Sequence, residues 1–425
     1  MNERALQFDI VVVGAGPAGL AAACAAAECG RRTALVDDTP WLGGQIWRGQ
    51  QSHPSLPQAR QWIERFSRSK ATLLDSCSVL GPAGSRLLLA EQNAAPRLIQ
   101  WQRLILATGA RELFLPFPGW TLPGNSGPGG LQSLAKHGWP VSGKRIVLAG
   151  SGPLLLAVGA GLRKMGASIV SVNEQAPWSR LISFGTALIR WPAKLAQAAR
   201  LKWTLRGTPF RCGVWPVAAD GGEQVRAVTL TDGRRRWTEE CDFLACGFGL
   251  VPNVELPLAL GCQLTNGFVK VDDLQAASVA SVYCAGELTG IAGADAALVE
   301  GEIAGLAAGG RHDAARPLMA RRAAWRRFRA ALAAAFALRE EVARLAAPDT
   351  VVCRCEDVSF ERMKTFAGWR DAKLQTRCGM GPCQGRVCGA ATRVLFGWGM
   401  QSVRPPLLPA RVESLAQDPI AGHGS

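Results

Sequence analysis

Histidine is scarce in this 425-residue chain. There are four, His53, His137, His312 and His423, each far in sequence from any candidate nucleophile. No nucleophile–base pair is recognisable, so each ring reads as a surface or packing residue rather than a catalyst. No C-x-x-C occurs, which excludes chemistry that cycles a vicinal dithiol. An export signal is missing too: MNERALQFD carries charges of both signs and leads straight into an apolar run. There is no nucleic-acid motif and no stacking platform, so the net charge of +15 does not point to nucleic acid.

What is present fits a large reduced protein. The length implies two or three domains, and 48% hydrophobic residues can bury sizeable cores. Thirteen cysteines is an odd count, and Cys24, Cys29, Cys246 and Cys284 sit in apolar runs. That pattern reads as reduced thiols in a cytoplasmic protein, not as a disulfide framework. Ile10 to Ala27 is uncharged for eighteen residues, the length of a membrane span. Its β-branched start, Gly-rich middle and Ala-rich end read instead as strand, turn and helix. No membrane span is expected. Much of the positive excess lies in GRHDAARPLMARRAAWRRFRAALAAAFALRE, residues 310–340. Arginines at helical spacing there make either a solvated helix face or a docking face for an acidic partner protein.

FDIVVVGAGPAGLAAACAAAECGRRTALVDD holds the strongest motif, Gly14-x-Gly16-x-x-Gly19 between two strands. Gly14 allows the tight turn, Gly16 admits pyrophosphate, and Gly19 lets the helix pack on the strand, with Pro17 and Ala18 opening that helix. Asp37, 23 residues past Gly14, is the expected ribose acceptor. A second unit, GKRIVLAGSGPLLLAVGAGLRKMGASIVSVNE, repeats strand, Gly turn, helix and strand with Gly150, Gly152 and Glu174. Its third glycine position is Leu155, which should hold helix and strand apart. The unit either holds a second nucleotide, FMN or NAD, or is a vestigial fold. Cys241 and Cys246 nearby read as core residues.

Five cysteines fall within 36 residues, in VVCRCEDV (Val351–Val358) and TRCGMGPCQGRVC (Thr376–Cys388). Both zinc and iron–sulfur clusters take four thiolates. A C-x-C pair is tight for one tetrahedral ion, and Cys378 and Cys383 share the spacing of Cys383 and Cys388. Spacing alone therefore leaves Cys378 in contention.

With RLILATGAR (Arg103–Arg111) and SVYCAGELTGIAGADAALVEG (Ser281–Gly301), the chain resembles the two-dinucleotide-domain flavoproteins of glutathione-reductase type. The resemblance implies an α/β fold of two nested Rossmann-like domains, and FAD at the first turn. It places the cofactor near Ala107, Thr108, Gly109, Gly286, Glu287 and Ala294, with Gly43, Gly44, Gln45 and Arg48 of LGGQIWR toward the flavin. Glu287 stands where the family has a one-methylene-shorter Asp. The cysteine stretch resembles the bacterioferritin-associated-ferredoxin-like [2Fe–2S] module. That likeness implies Cys353, Cys355, Cys383 and Cys388 as ligands, because the Cys378 position varies in such modules. The implied order is 1–120 FAD-binding, 121–270 inserted dinucleotide-binding-like, 271–308 FAD-binding, 309–349 basic helical linker, 350–400 α-rich cluster module and 401–425 tail.

Most of the chain, through GGQIWR, GFGLVPN, AGELTGI and TRCGMGPCQGRVC, is similar to the electron-transfer (alpha) component of heteromeric flavin-dependent amine and amino-acid dehydrogenases. That family includes the D-hydroxyproline dehydrogenase, opine oxidase and hydrogen cyanide synthase types. It implies a catalytic flavoprotein (beta) partner and a small ferredoxin-like (gamma) partner. Two other readings stand beside it: a self-sufficient NAD(P)H-dependent reductase, and a scaffold whose nucleotide never turns over. No residue can be assigned to catalysis on substrate.

Overall fold

The structure, a computed structural model, describes residues 5–51, 56–399 and 403–416. These fall into two compact units. One contains the described residues up to Arg111, Pro252–Arg329 and those from 403 on; the other contains Glu112–Val251 and residues 330–399. Residues 252–270, expected in the inserted domain, thus lie in the first unit.

The first unit opens with β1 (Leu6–Val13), α1 (Pro17–Glu28), β2 (Thr33–Val36), α2 (Pro57–Arg68) and β3 (Thr72–Leu74). It continues through β4 (Cys77–Gly84), β5 (Leu87–Gln92) and the long β6 (Ala95–Leu106). β1 ends in four consecutive buried residues and β2 is buried throughout. Continuous burial is what a parallel strand covered on both faces requires. The helix α1 is Ala-rich and buried along most of its length.

The inserted unit contains β7 (Asn125–Ser126), α3 (Pro128–Lys136), β8 (Arg145–Gly150), α4 (Leu154–Lys164) and β9 (Ser168–Glu174). Next come α5 (Trp178–Ala187), α6 (Pro192–Thr204), β10 (Phe210–Cys212), β11 (Trp215–Gly221), β12 (Val225–Thr231), β13 (Arg236–Glu240) and β14 (Phe243–Gly247). A parallel five-stranded sheet runs β10-β9-β8-β14-β7, beside an antiparallel sheet β11-β12-β13.

Returning to the first unit, β15 (Val282–Cys284) pairs with β6, completing a seven-stranded sheet whose remaining order is β3-β2-β1-β6-β5-β4. α7 (Ala294–Ala308) then lies along α1. A Cβ on Gly301 would overlap the carbonyl oxygen of Ala18, and one on Gly305 that of Ala22. Small residues on both helices make this backbone-to-backbone approach possible.

α8 (Leu318–Ala335) carries the arginine-rich stretch. Two of its arginines turn inward rather than to solvent. Arg322 is buried against the Asp273 carboxylate (2.7 Å) and the Asp272 carbonyl (2.8 Å), and Arg329 pairs with buried Glu300 (2.6 Å). The cysteine module follows: β16 (Val351–Cys353), β17 (Val358–Ser359), α9 (Phe360–Lys364), α10 (Trp369–Thr376) and α11 (Cys388–Phe396). Among the described residues, no helix is long and apolar enough to cross a membrane.

Candidate functional site: two glycine turns and a cysteine cluster

Strand register lines up the first turn. Val13 pairs with Val36 and Leu106, and Leu106 with Cys284. Gly14, Asp37, Ala107 and Ala285 therefore follow on one edge of the sheet, at the strands' C-terminal ends. Ligands of open parallel sheets gather at that edge. Gly14 has φ +105°, and a Cβ there would overlap the Ala107 carbonyl oxygen. Gly19 packs as closely on Gly14. Gly16, preceding α1, is different: its φ is −68° and the space beside its Cα is open. The turn thus presents an open face at the positive end of α1.

The other candidate residues surround this turn. The Gly43 N–H donates to the Ala15 carbonyl (2.8 Å), bringing Gly44 against Gly16, while Gln45 is exposed. Thr108 and Asn253 are reciprocally bonded: the Thr108 hydroxyl donates to the Asn253 carbonyl (2.9 Å), and the Asn253 amide donates to the Thr108 carbonyl (2.7 Å). Gly109 accepts the Asn253 N–H (3.0 Å). The Gly286 N–H donates to Glu300 (3.0 Å), and Ala294 begins α7. Burial pushes the Glu287 carboxyl up to about 7.

Asp37 is turned inward. Its carboxylate accepts the Ala15 N–H (2.6 Å) and both the N–H (2.9 Å) and hydroxyl (2.6 Å) of Thr39. It braces the glycine turn. The adjacent Asp38 is exposed. Desolvation by nearby protein and the Asp37 carboxylate raise its pKa, and the half-buried Arg48 guanidinium opposes that rise.

The second turn repeats the brace and then closes it. Glu174, buried, accepts the N–H groups of Gly152 (2.7 Å) and Ala176 (2.9 Å), and burial pushes its carboxyl up to about 7. Gly152 leaves open space beside its Cα, as Gly16 does. The chain after α8 crosses the rest of the turn. The Ser151 hydroxyl donates to the Phe336 carbonyl (3.1 Å), and the Gln175 amide donates to Ser151 (3.0 Å) and to the Ala337 carbonyl (3.3 Å). The Arg339 N–H returns to Gln175 (3.1 Å), and the Phe336 ring stands edge-on to Phe184. Glu174 and Gln175 are both buried, and the strap covers Ser151 and Gln175. Leu155 is buried in the core of the sheet, and α4 starts one residue later relative to its glycine turn than α1 does.

In the cysteine module the Sγ atoms of Cys353, Cys378 and Cys388, all buried, lie within 4.8 Å of one another. Cys383 reaches both Cys388 and the exposed Cys355. Backbone N–H groups of Gly379 and Glu356 donate to Cys353, those of Gly385 and Val387 to Cys383, and that of Cys383 to Cys355. Neighbouring thiols and these amides hold Cys353 and Cys383 well below the ordinary thiol range. Cys378 is pushed up, chiefly by the Cys353 sulfur beside it. Elsewhere, burial pushes Cys241 up to about 12 and raises Cys246 further, which suits unreactive core thiols. His137 and His312 are exposed; His53 and His423 lie outside the described residues.

The A subunit of opine oxidase from Rhizobium meliloti (strain 1021) is 33% identical, over 96% of this chain and 98% of that protein. The HcnB subunit of hydrogen cyanide synthase from Pseudomonas aeruginosa is 32% identical, over 89% of this chain and 90% of that protein. Residues 8–301 match the family described as pyridine nucleotide-disulphide oxidoreductase. The chain belongs to that family. Membership makes it an oxidoreductase and implies FAD. The crystal structure of L-proline dehydrogenase from P. horikoshii has the same fold, with TM-score 0.66 and 19% identity over 97% of this chain and 81% of that one. T. acidophilum thioredoxin reductase aligns with TM-score 0.57 and 21% identity over 72% and 98% of the two chains. Though a pyridine nucleotide-disulphide oxidoreductase by family, the chain has no C-x-x-C with which to cycle a disulfide.

Within this family member, three features escaped sequence reasoning. The bracing of Asp37 against the Ala15 N–H, which leaves Asp38 exposed, had only the Asp-Asp doublet as a signal. Asn253, inside GFGLVPN, is the clasp of the Ala107–Gly109 turn. The strap over Ser151 and Gln175 had no signal, because it joins residues about 160–185 positions apart.

Proposed function

We propose that this chain is the electron-transfer component of a heteromeric dehydrogenase that oxidises a C–N bond of an amine, imino acid or opine on a partner flavoprotein. The observation that carries this reading is the pairing of one nucleotide-receiving turn, open at Gly16, with a five-cysteine cluster supplied with backbone N–H donors. The relatives are themselves named as subunits, of opine oxidase and of hydrogen cyanide synthase, which supports a multi-subunit setting.

The first turn fits FAD. Gly16 gives the pyrophosphate backbone access, α1 supplies a positive terminus, and Asp37 holds the turn while exposed Asp38 is the acid offered to a ribose. Thr108, Gly109, Glu287 and the α7 N-terminus at Ala294 complete the cradle. The cysteine set fits a [2Fe–2S] cluster on Cys353, Cys355, Cys383 and Cys388, because thiolate ligands accept backbone N–H bonds and three of these four do. Cys378 packs beside them in the interior. Together the two groups would accept electrons in pairs and release them singly. The chain's own residues would bind, orient and desolvate those groups.

The strap over the second turn is what disfavours a self-sufficient NAD(P)H reductase. Purification with and without a co-expressed candidate partner flavoprotein tests the proposal. Amine-dependent reduction of this chain's flavin only in the presence of that partner is the expected result. Amine oxidation by the isolated chain, or reduction by NADH alone, overturns it.

A further inference from the structure

Helices α5 and α6 form a hairpin in the inserted unit, and neither contains a fully buried residue. Large apolar side chains of the helices and of the turn between them face outward instead: Trp203 is 71% exposed, Ile182 63% and, in the turn, Ile189 69%. Trp178 and Leu195 are exposed as well. Trp178 and Ile182 are four apart on α5, and Leu195 and Trp203 eight apart on α6, so each helix turns an apolar row outward, as surfaces that meet a partner do.

The surface is also concave and positive. A groove of about 430 Å³ is lined by Val172, Leu205, Phe210 and Trp203, with exposed Lys202 and Arg206 beside it. Lys202 stands 5.0 Å from the Phe210 ring centroid and 5.6 Å from that of Trp178; Arg206 stands 5.4 Å from that of Trp203. Cations resting on aromatic faces order the groove walls before anything binds. Between Glu174 and Asp220 the sequence carries seven Lys and Arg residues and no acid.

These facts choose among occupants. A second copy would bring the same acid-free charge against itself. A bilayer is flat, whereas the groove is shaped for a projecting side chain. Trp and Arg around a desolvated pocket are the usual anchors of protein interfaces. We propose that the α5–α6 hairpin docks the substrate-oxidising flavoprotein, which inserts an apolar side chain flanked by acidic ones into the groove. The proposal rests on the reading of this chain as one component of a heteromeric enzyme.

The test is co-expression of the wild-type chain, Trp203→Glu or Ile182→Asp with a candidate substrate-oxidising flavoprotein partner, followed by gel filtration with light scattering. Both substituted side chains are exposed, so the variants should fold, and flavin content and Tm check that they do. The expected result is a wild-type complex, with affinity about tenfold or more weaker in each variant. Raising salt from about 50 to about 500 mM should weaken the wild-type complex. An equally tight complex in wild type and variants overturns the docking surface while leaving the heteromeric reading intact. No wild-type complex at all defeats the heteromeric reading itself. Wild-type dimers, or binding to anionic vesicles, abolished by Trp203→Glu would replace the proposed occupant and likewise overturn it.

Discussion

The N–H of Gly152 donates to the carboxylate of Glu174 across 2.7 Å, in the turn where a second dinucleotide would be gripped. The strap through Phe336 and Ala337 then covers the neighbouring Ser151 and Gln175. A ribose would have to displace both the brace and the strap. NADH at micromolar concentration should therefore leave the flavin band unchanged over minutes. Stopped-flow absorbance decides this, and rapid bleaching would mean that the strap opens.

Gly16 and Gly14 should separate binding from folding. A Val side chain at Gly16 enters open space at an ordinary φ, so Gly16→Val should fold with its Tm little changed once flavin is absent from both proteins. It should retain under a tenth of the wild-type flavin, because the side chain occupies the pyrophosphate position. Gly14→Ala forces a Cβ onto a carbonyl at φ +105° and should lower stability by about 1–3 kcal/mol as well. Flavin released by denaturation and calorimetric Tm measure the two effects. Stoichiometric flavin in Gly16→Val would displace the proposed site.

Much of this was legible because the turn motif is local. Gly14, Gly16 and Gly19 have fixed roles within a few residues, and the Ala-rich α1 announces close packing. The α/β fold and the repeat at Gly150 followed from the same signal. The orientation of an acid at a strand end was not legible, since whether Asp37 or Asp38 faces outward depends on which one meets the Ala15 N–H. Nor could helical spacing reveal that Arg322 is buried and Arg329 half-buried, because their carboxylate partners come from distant segments. Ligand choice among five cysteines stayed open in spacing, and their burial now adds Cys378 to the inner group.

The two neighbouring acids should differ on substitution. Asp38→Asn should weaken flavin binding by about tenfold with little loss of stability, since an exposed carboxylate to a ribose diol contributes on the order of 1–2 kcal/mol. Asp37→Asn breaks the brace to Ala15 and Thr39, and should lower the Tm of the flavin-free protein. Flavin fluorescence titration and thermal melts distinguish them. Weakened binding without a Tm change in Asp37→Asn would return the ribose to Asp37.

Glu287 should make the flavin-free protein pH-sensitive. Its folded pKa of about 7 lies above the ordinary carboxyl value, so the folded state favours the protonated form. Its contribution is fully present below about 4.5 and is lost as pH rises to about 7, after which the penalty stays constant. Glu287→Gln should therefore gain stability over wild type progressively from pH 5 to 7, reaching on the order of 1–3 kcal/mol. Urea melts of both proteins across that range give the difference. A gap independent of pH would mean that the carboxyl titrates normally.

The cysteine module yields the sharpest comparison. Replacing Cys353, Cys383 or Cys388 by Ser should remove most of the iron, because a hydroxyl is a harder, poorer ligand than a thiolate and a buried half-ligated cluster cannot place its charge. Cys355→Ser should do the same despite that residue's exposure, since Cys355 accepts the Cys383 N–H as a ligating sulfur would. Cys378→Ser is the opposing case. That side chain lies within 4.8 Å of Cys353 and Cys388, so its loss should shift the reduction potential but keep the iron. Flavin bound as proposed at the glycine turn of the other compact unit should persist in all five variants. Iron analysis, electron paramagnetic resonance after reduction, and the flavin spectrum measure each part. Iron lost in Cys378→Ser but kept in Cys355→Ser would give the fourth ligand position to Cys378, and the buried triad rather than the amide-supplied sulfurs would then define the centre.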